Sequence, residues 1–265
     1  MAVTNVAMVT GASSGIGEAF AERLAADGHD LVVVARRRQR LEELAERLEA
    51  THGVAVRVIQ ADLGDPPQIE GLCDEIETAQ LELLVNNAGL AHYMPFVELP
   101  SLQAQELVTL NVLAPVLLSR AAVNGMVARG RGSIVNVASL LAFSGPVDAR
   151  HLPNRAVYAA TKSFLVTFTE ALAREVSATG VQVQVVCPGV VRSEFHTRQG
   201  MDLSSVPRME PRDVVDASLA DLADGVVVSI PGLADPEAYA RLEAADRELV
   251  ASARTAELPD RYLSA

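Results

Sequence analysis

The chain has 265 residues, 49% of them apolar and 21% charged, a globular balance long enough for a full core. Its 34 acidic and 22 basic residues leave a net charge of −12, which argues against nucleic acid and anionic membrane as partners. No apolar run approaches the roughly 18 residues of a membrane span, and the opening "MAVTNVAMVTGASSGIG" lacks the basic leader of a signal peptide.

Short Val- and Ile-rich runs alternate with helical patterns along the whole length. The first run, 5–10, leads into a turn with Gly11, Gly15 and Gly17, and a helix pattern covers 16–28. Glycines here permit a tight turn, close approach of backbone to a pyrophosphate and close helix–strand packing, while the helix N-terminus offers N–H groups to phosphate. Ser13, Ser14 and Ile16 complete this candidate binding turn. The second run, 30–35, is followed by Arg36, Arg37 and Arg38. A free ribose 2′-hydroxyl wants a carboxylate at that point, whereas arginine suits a 2′-phosphate, so NADP(H) is the expected cofactor. Arg36 is the first candidate contact and Arg37 the second. Arg38 and Arg40 read as solvated charges opening a helix at 38–50, whose Leu41, Leu44 and Leu48 form an apolar stripe.

A strand pattern at 54–59, a helix at 67–79 and a strand at 81–86 follow. The long helix pattern at 101–128 carries Asn111 and, four residues on, Pro115. Proline has no N–H, so the Asn111 carbonyl loses its helical partner and is free to hold a water; the plainer reading is an ordinary proline kink. A strand at 132–138 ends at Ser139; a helix at 156–179, strand at 181–187, helix at 211–223, strand at 225–230 and helix at 235–253 complete the chain. Runs that do not alternate with polar residues are strands covered on both faces. Their alternation with helices implies right-handed crossovers and an α/β fold: a doubly wound parallel sheet in one domain over 1–265. Cys73 and Cys187 lie far apart in apolar patterns, as expected of a buried, reduced pair in a cytoplasmic protein.

The helix at 156–179 carries Tyr158 and Lys162, one turn apart on one face. Reducing a ketone needs a hydride on carbon and a proton on oxygen. A free tyrosine ionises only near about pH 10, but a neighbouring ammonium favours the phenolate. Ser139 would bond and polarise the substrate oxygen. The plainer readings are a half-buried core tyrosine, a surface lysine and a strand-end serine. Ser144 competes with Ser139 for the role, but Ser139 directly ends a strand that fixes it. Loops beyond the carboxyl ends of strands should surround the substrate, which nominates 90–94, 140–152 and 191–209. Leu90, His92, Met94, Leu140, Leu141 and Phe195 are candidate lining residues, and their apolar balance suits a fairly apolar carbonyl compound or alcohol. His92 and His196 are isolated and form no metal-ligand pattern.

Seven motifs in order, "TGASSGIG" (10–17), Asp62, "NNAG" (86–89), Asn111, Ser139, "YAATK" (158–162) and "PGVV" (188–191), resemble the compact branch of the short-chain dehydrogenase/reductase family over about residues 4–232. The resemblance implies a Rossmann-like seven-stranded sheet, a nicotinamide cofactor and carbonyl–alcohol redox chemistry. It implies that Asp62 and Leu63 flank the adenine, that Asn87, Ala88 and Gly89 line the cofactor, and that Pro188, Gly189 and Val190 pass beside the nicotinamide. It also implies a proton relay through Asn111 and Lys162, a lysine bond to the nicotinamide ribose, and a homo-oligomer built on the two long helices, one of which carries the apolar stretch "FLVTFTEALA" (164–173). An acyl-carrier 3-ketoacyl reductase is a second reading, which the extended tail 231–250 argues against; a non-catalytic redox sensor is a third. The gap between Ser139 and Tyr158 exceeds the family's usual one, and the excess falls in "GPVDARHLPNR" (145–155). That insertion is either a solvated excursion or a lid, with Arg150 or Arg155 facing an anionic group.

Overall fold

The computed structural model describes residues 5–147, 152–203, 205–253 and 258. It divides into two compact units, Met1–Pro231 and Gly232–Ala265. The first contains a parallel sheet of β1 (Val6–Thr10), β2 (Asp30–Ala35), β3 (Val56–Gln60), β4 (Leu81–Asn86), β5 (Gly132–Val137), β6 (Val181–Val186) and β7 (Val228–Ser229). The order across it is β3-β2-β1-β4-β5-β6-β7. The order in which successive strands are added reverses at β1 and β4, where Val9 pairs with Val33 on one side and Val85 on the other, all strands remaining parallel. Ligands of open parallel sheets bind at that switch point.

Both faces of the central strands are largely apolar because helices cover both. On one face Ala7, Val9, Val33 and Val85 meet Phe20 and Leu24 of α1 (Gly15–Ala26), Leu41, Leu44 and Leu48 of α2 (Arg38–His52), and Val214 and Val215 further along the chain. On the other, Met8, Val32, Val34, Leu84 and Ile134 meet Ile69, Leu72 and Ile76 of α3 (Pro66–Thr78). The predicted helix over 101–128 is interrupted. It comprises α4 (Ser101–Val108), a π turn (Thr109–Leu113) and α5 (Ala114–Arg129). The Ala114 N–H reaches back five residues to the Thr109 carbonyl, so the helix widens by one residue just before Pro115, which has no N–H to give. Against expectation, the helical run 101–129 is long and apolar enough to cross a membrane. Its apolar residues have another use: Leu118, Ala121, Ala122 and Met126 pack against the sheet.

After α5 come α6 (Ala156–Glu175), the short α7 (Glu194–Arg198), α8 (Pro211–Ala223), which supplies Val214 and Val215, and α9 (Glu237–Ser252) in the second unit. The predicted strand at 225–230 shrinks to two residues because it is the edge strand and only Val228 and Ser229 pair with β6. Cys187 is buried as expected, but Cys73 is only half-buried, on the flank of α3 beside Glu70, Asp74 and Glu77; both thiols are free.

Candidate active site

A cavity of about 890 Å³ lies beyond the carboxyl ends of the strands at the switch point. Its floor is the turn after β1. Gly11 and Gly15 have φ of 68° and 62°, a region that favours glycine. Gly17 is required for packing: a Cβ there would come within 2.4 Å of Asn87 Nδ2 and 2.5 Å of the Gly11 carbonyl. Asn87 stitches the turn to β4, donating from Nδ2 to the Thr10 carbonyl at 2.9 Å, while Thr10 Oγ1 accepts from the N–H groups of Asn87 and Ala88 at 3.0 Å each. Asn87 thus has a structural task besides lining the cavity. Ser14 stands at the N-cap of α1 but does not cap it; its hydroxyl accepts instead from Arg37 at 2.9 Å. The uncapped helix end therefore suits a pyrophosphate.

At one end of the cavity lie Arg36, Arg37, Arg40, Asp62 and Leu63. Arg36 is largely exposed, its guanidinium 3.7 Å from Asp62. Arg37 is tied down, donating to Ser13 Oγ at 2.8 Å and to the Ser13 carbonyl at 3.0 Å. Arg40 also lines the cavity, which corrects its reading as a purely solvated charge. This donor set fits a 2′-phosphorylated dinucleotide.

At the other end Tyr158, Lys162 and Ser139 converge. Tyr158 and Lys162 are 4% exposed, on the buried face of α6 that continues through Leu165, Val166 and Thr169. Ser139 caps the turn Leu140–Phe143, its hydroxyl accepting from the Leu141 N–H at 3.1 Å, and it hydrogen-bonds the Tyr158 phenol. Ser144 is bonded elsewhere, donating to the Leu141 carbonyl at 2.7 Å and accepting from Arg155 Nε at 2.7 Å. Burial pushes the Tyr158 phenol up to about 12, although hydrogen bonds with Ser139 and Tyr93 pull it down. Burial is the largest influence on the phenol, and the Lys162 nitrogen lies 5.8 Å from its ring centroid. Burial brings Lys162 itself down to about 8. Lys162 donates to the Val137 carbonyl at 2.9 Å, and a Cβ on Gly89 would come within 3.4 Å of its Nζ.

Asn111 does not line the cavity but sits just behind it, 1% exposed. Its amide donates to the Leu90 carbonyl at 2.9 Å and to Thr161 Oγ1 at 3.2 Å, and its Oδ1 accepts from the Leu90 N–H at 3.1 Å. The π turn thereby pins the loop after β4 to α6. Ile16, Ala88, Pro188, Gly189, Val190, Leu140, Leu141 and Phe195 line the cavity as expected. Leu90, His92 and Met94 do not. Leu90 is held by Asn111 and packs into the core, and His92 turns to Glu106 at 3.2 Å. Of that segment it is Tyr93 that faces the site, edge-on to Tyr158 at 5.4 Å between centroids and stacked on His196 at 6.4 Å. Leu152, Pro153, Met201, Leu203 and Val206 extend the apolar wall. Arg155 is committed to the base of the 145–155 insertion, bonding Ser144, Val147 and Pro153, so it does not face a substrate. Asp148, Arg150 and His151 lie outside the described residues. No cluster of three or more metal-ligating side chains occurs among the described residues.

Residues 5–203 match the family model described as short chain dehydrogenase. The fold is similar to a short-chain dehydrogenase from Sphingobium yanoikuyae in complex with NADPH, with a TM-score of 0.92, 37% identity, and 97% of this chain and 99% of that one covered. It is also similar to the bulky-bulky ketone specific alcohol dehydrogenase from Comamonas testosteroni, with a TM-score of 0.88 and 33% identity over 98% of each chain. In sequence it is 37% identical over 185 residues to a very-long-chain 3-oxoacyl-CoA reductase of Mycosarcoma maydis, covering 68% of this chain and 51% of the reductase. The chain thus spans about half the length of that curated relative.

Proposed function

The chain belongs to the short-chain dehydrogenase/reductase family, and from that premise we propose that it interconverts a bulky, apolar carbonyl compound and its alcohol using NADP(H). One observation carries the reading: a single cavity joins an arginine-lined end to an apolar end where a buried tyrosine, lysine and serine meet. The NADPH complex of the Sphingobium relative supports the cofactor, and the named specificity of the Comamonas enzyme supports the substrate class.

When bound, the nicotinamide supplies or accepts the hydride. The protein's own residues handle position and the proton. Arg36 and Arg37 would hold the 2′-phosphate, and the N–H groups at the N-terminus of α1 would bind the pyrophosphate. Ser139 fixes the carbonyl oxygen against the Tyr158 hydroxyl. Tyr158, kept protonated by burial, is an acid ready to donate to that oxygen in reduction. Lys162 holds a positive charge one turn along the same helix, and Tyr93 adds a second hydroxyl beside Tyr158. The apolar wall from Leu141 to Val206 excludes water and receives the carbonyl substituents. Two free cysteines support a cytoplasmic location, and exposed Val108, Leu113 and Phe164 on the long helices support a homo-oligomer.

A second reading, reduction of a 3-oxoacyl thioester, is favoured by the likeness to very-long-chain 3-oxoacyl-CoA reductases. A spectrophotometric screen of aryl and branched ketones against 3-oxoacyl thioesters, with NADPH and NADH in parallel, separates the two. The proposal expects NADPH-dependent turnover of the bulky ketones. A much higher kcat/KM on the thioesters would favour the second reading, and a protein inert toward every carbonyl would contradict both.

A further inference from the structure

The basic end of the cleft contains an acid that no motif announced. Glu194 opens α7, 157 positions after Arg37 in the chain, and its carboxylate is gripped from three sides. Arg37 Nη1 donates to Oε2 at 3.0 Å, Arg40 Nη1 donates to Oε1 at 2.7 Å, and Arg198 donates to Oε2. All four side chains line the same cavity as the glycine turn. The loop that carries Glu194 lies directly on that turn: a Cβ on Gly15 would come within 3.0 Å of Ser193 Cβ.

A carboxylate held this way occupies donors that a phosphate monoester needs. Arg37 directs Nε and Nη2 to Ser13 and Ser14, which leaves Nη1 as its outward donor, and Glu194 accepts one of its two N–H groups. Arg40 spends the same nitrogen on the same acid. We propose that Glu194 is a built-in competitor for the 2′-phosphate of the cofactor and so tunes the preference between NADP(H) and NAD(H). The inference rests on the NADP(H) reading above. A 2′-phosphate that adds Arg37 Nη1 and Arg40 Nη1 to its contact with Arg36 competes with Glu194 for them, whereas a 2′-hydroxyl leaves the ion pairs in place. The competition persists at all working pH values, because Arg40, and after it Arg37 and Arg198, holds the Glu194 carboxyl down to about 2.

The test is titration calorimetry on the full chain, wild type and Glu194→Gln, with adenosine 2′,5′-bisphosphate and with AMP as probes. Neither probe carries nicotinamide, so the reading is independent of turnover. Glutamine keeps the shape and removes the charge. Each exposed ion pair is worth up to about 1 kcal/mol, so the substitution should tighten the bisphosphate about three- to tenfold and leave AMP unchanged. Unchanged or weakened bisphosphate binding, or an equal gain for both probes, would overturn the proposal. A wild-type protein that binds the bisphosphate no better than AMP would overturn the NADP(H) reading and this inference together. A wild-type preference for the bisphosphate that Glu194→Gln leaves unaltered sinks the inference alone.

Discussion

Burial moves Tyr158 and Lys162 in opposite directions, the phenol up to about 12 and the ammonium down to about 8. Both shifts disfavour the charged form in a site walled by apolar groups. A lysine whose value is lowered is an ammonium below about 8 and an amine above it. The phenol remains an acid across the same range. Reduction, which needs the phenol protonated, should therefore hold steady between about pH 6 and 7, then decline above about pH 8 as Lys162 loses its charge. A pH profile of kcat/KM for ketone reduction checks this. A profile flat to about pH 10 would show that the lysine charge does not enter the rate. The four-residue spacing placed the pair on one helical face, but it was legible as a catalytic pair only beside the glycine turn and "NNAG" (86–89). The sign of the tyrosine shift was not, because desolvation depends on what packs around the helix. Tyr93 lies in the nominated segment 90–94 but was not singled out there, unlike its neighbours His92 and Met94, because only the loop's conformation decides which of the three side chains points inward.

The secondary elements show where such reading succeeds and where it stops. The Val-rich runs read as buried parallel strands because both of their faces are covered, which removes the polar alternation that would mark a half-exposed strand. Pro115 signalled a disturbance in the long helix, but whether the chain would kink or widen into a π turn depends on the packing of Asn111 against Leu90 and Thr161. The five-residue α7 left no periodic trace, yet it presents Phe195 to the substrate end and Glu194 to the basic end of the cavity. The 145–155 insertion is tied at its base by Arg155, and its own Leu152 and Pro153 line the cavity. Deleting residues 148–152 should therefore raise KM for bulky ketones several-fold, as Leu152 leaves the wall, while the circular-dichroism spectrum and NADPH affinity stay as in wild type. Unchanged kinetics on every accepted substrate from a folded deletion variant would make the insertion irrelevant to catalysis.

At the scale of the whole molecule, the sheet order places the glycine turn, the arginines after β2, and Asn87 after β4 around one crevice, with Ser139 and the α6 pair alongside. That convergence follows from topology, so residues separated by more than a hundred positions act as one site. We propose that the exposed apolar side chains of α4 to α6, with Phe164 stacked on Phe168 at 5.9 Å, pack against a second copy of the chain. Light scattering should report a mass at least twice that of the 28.1 kDa chain, and a monomer across working concentrations would contradict this. The central claim is that Tyr158 passes a proton to a carbonyl oxygen beside bound NADPH. It is tested most directly by following NADPH consumption with a bulky ketone in wild type and Tyr158→Phe, with cofactor affinity measured on the same preparations. Removal of a general acid should lower kcat by about a hundredfold or more while NADPH binds as before; near-normal turnover in the phenylalanine variant would remove Tyr158 from the chemistry and the account with it.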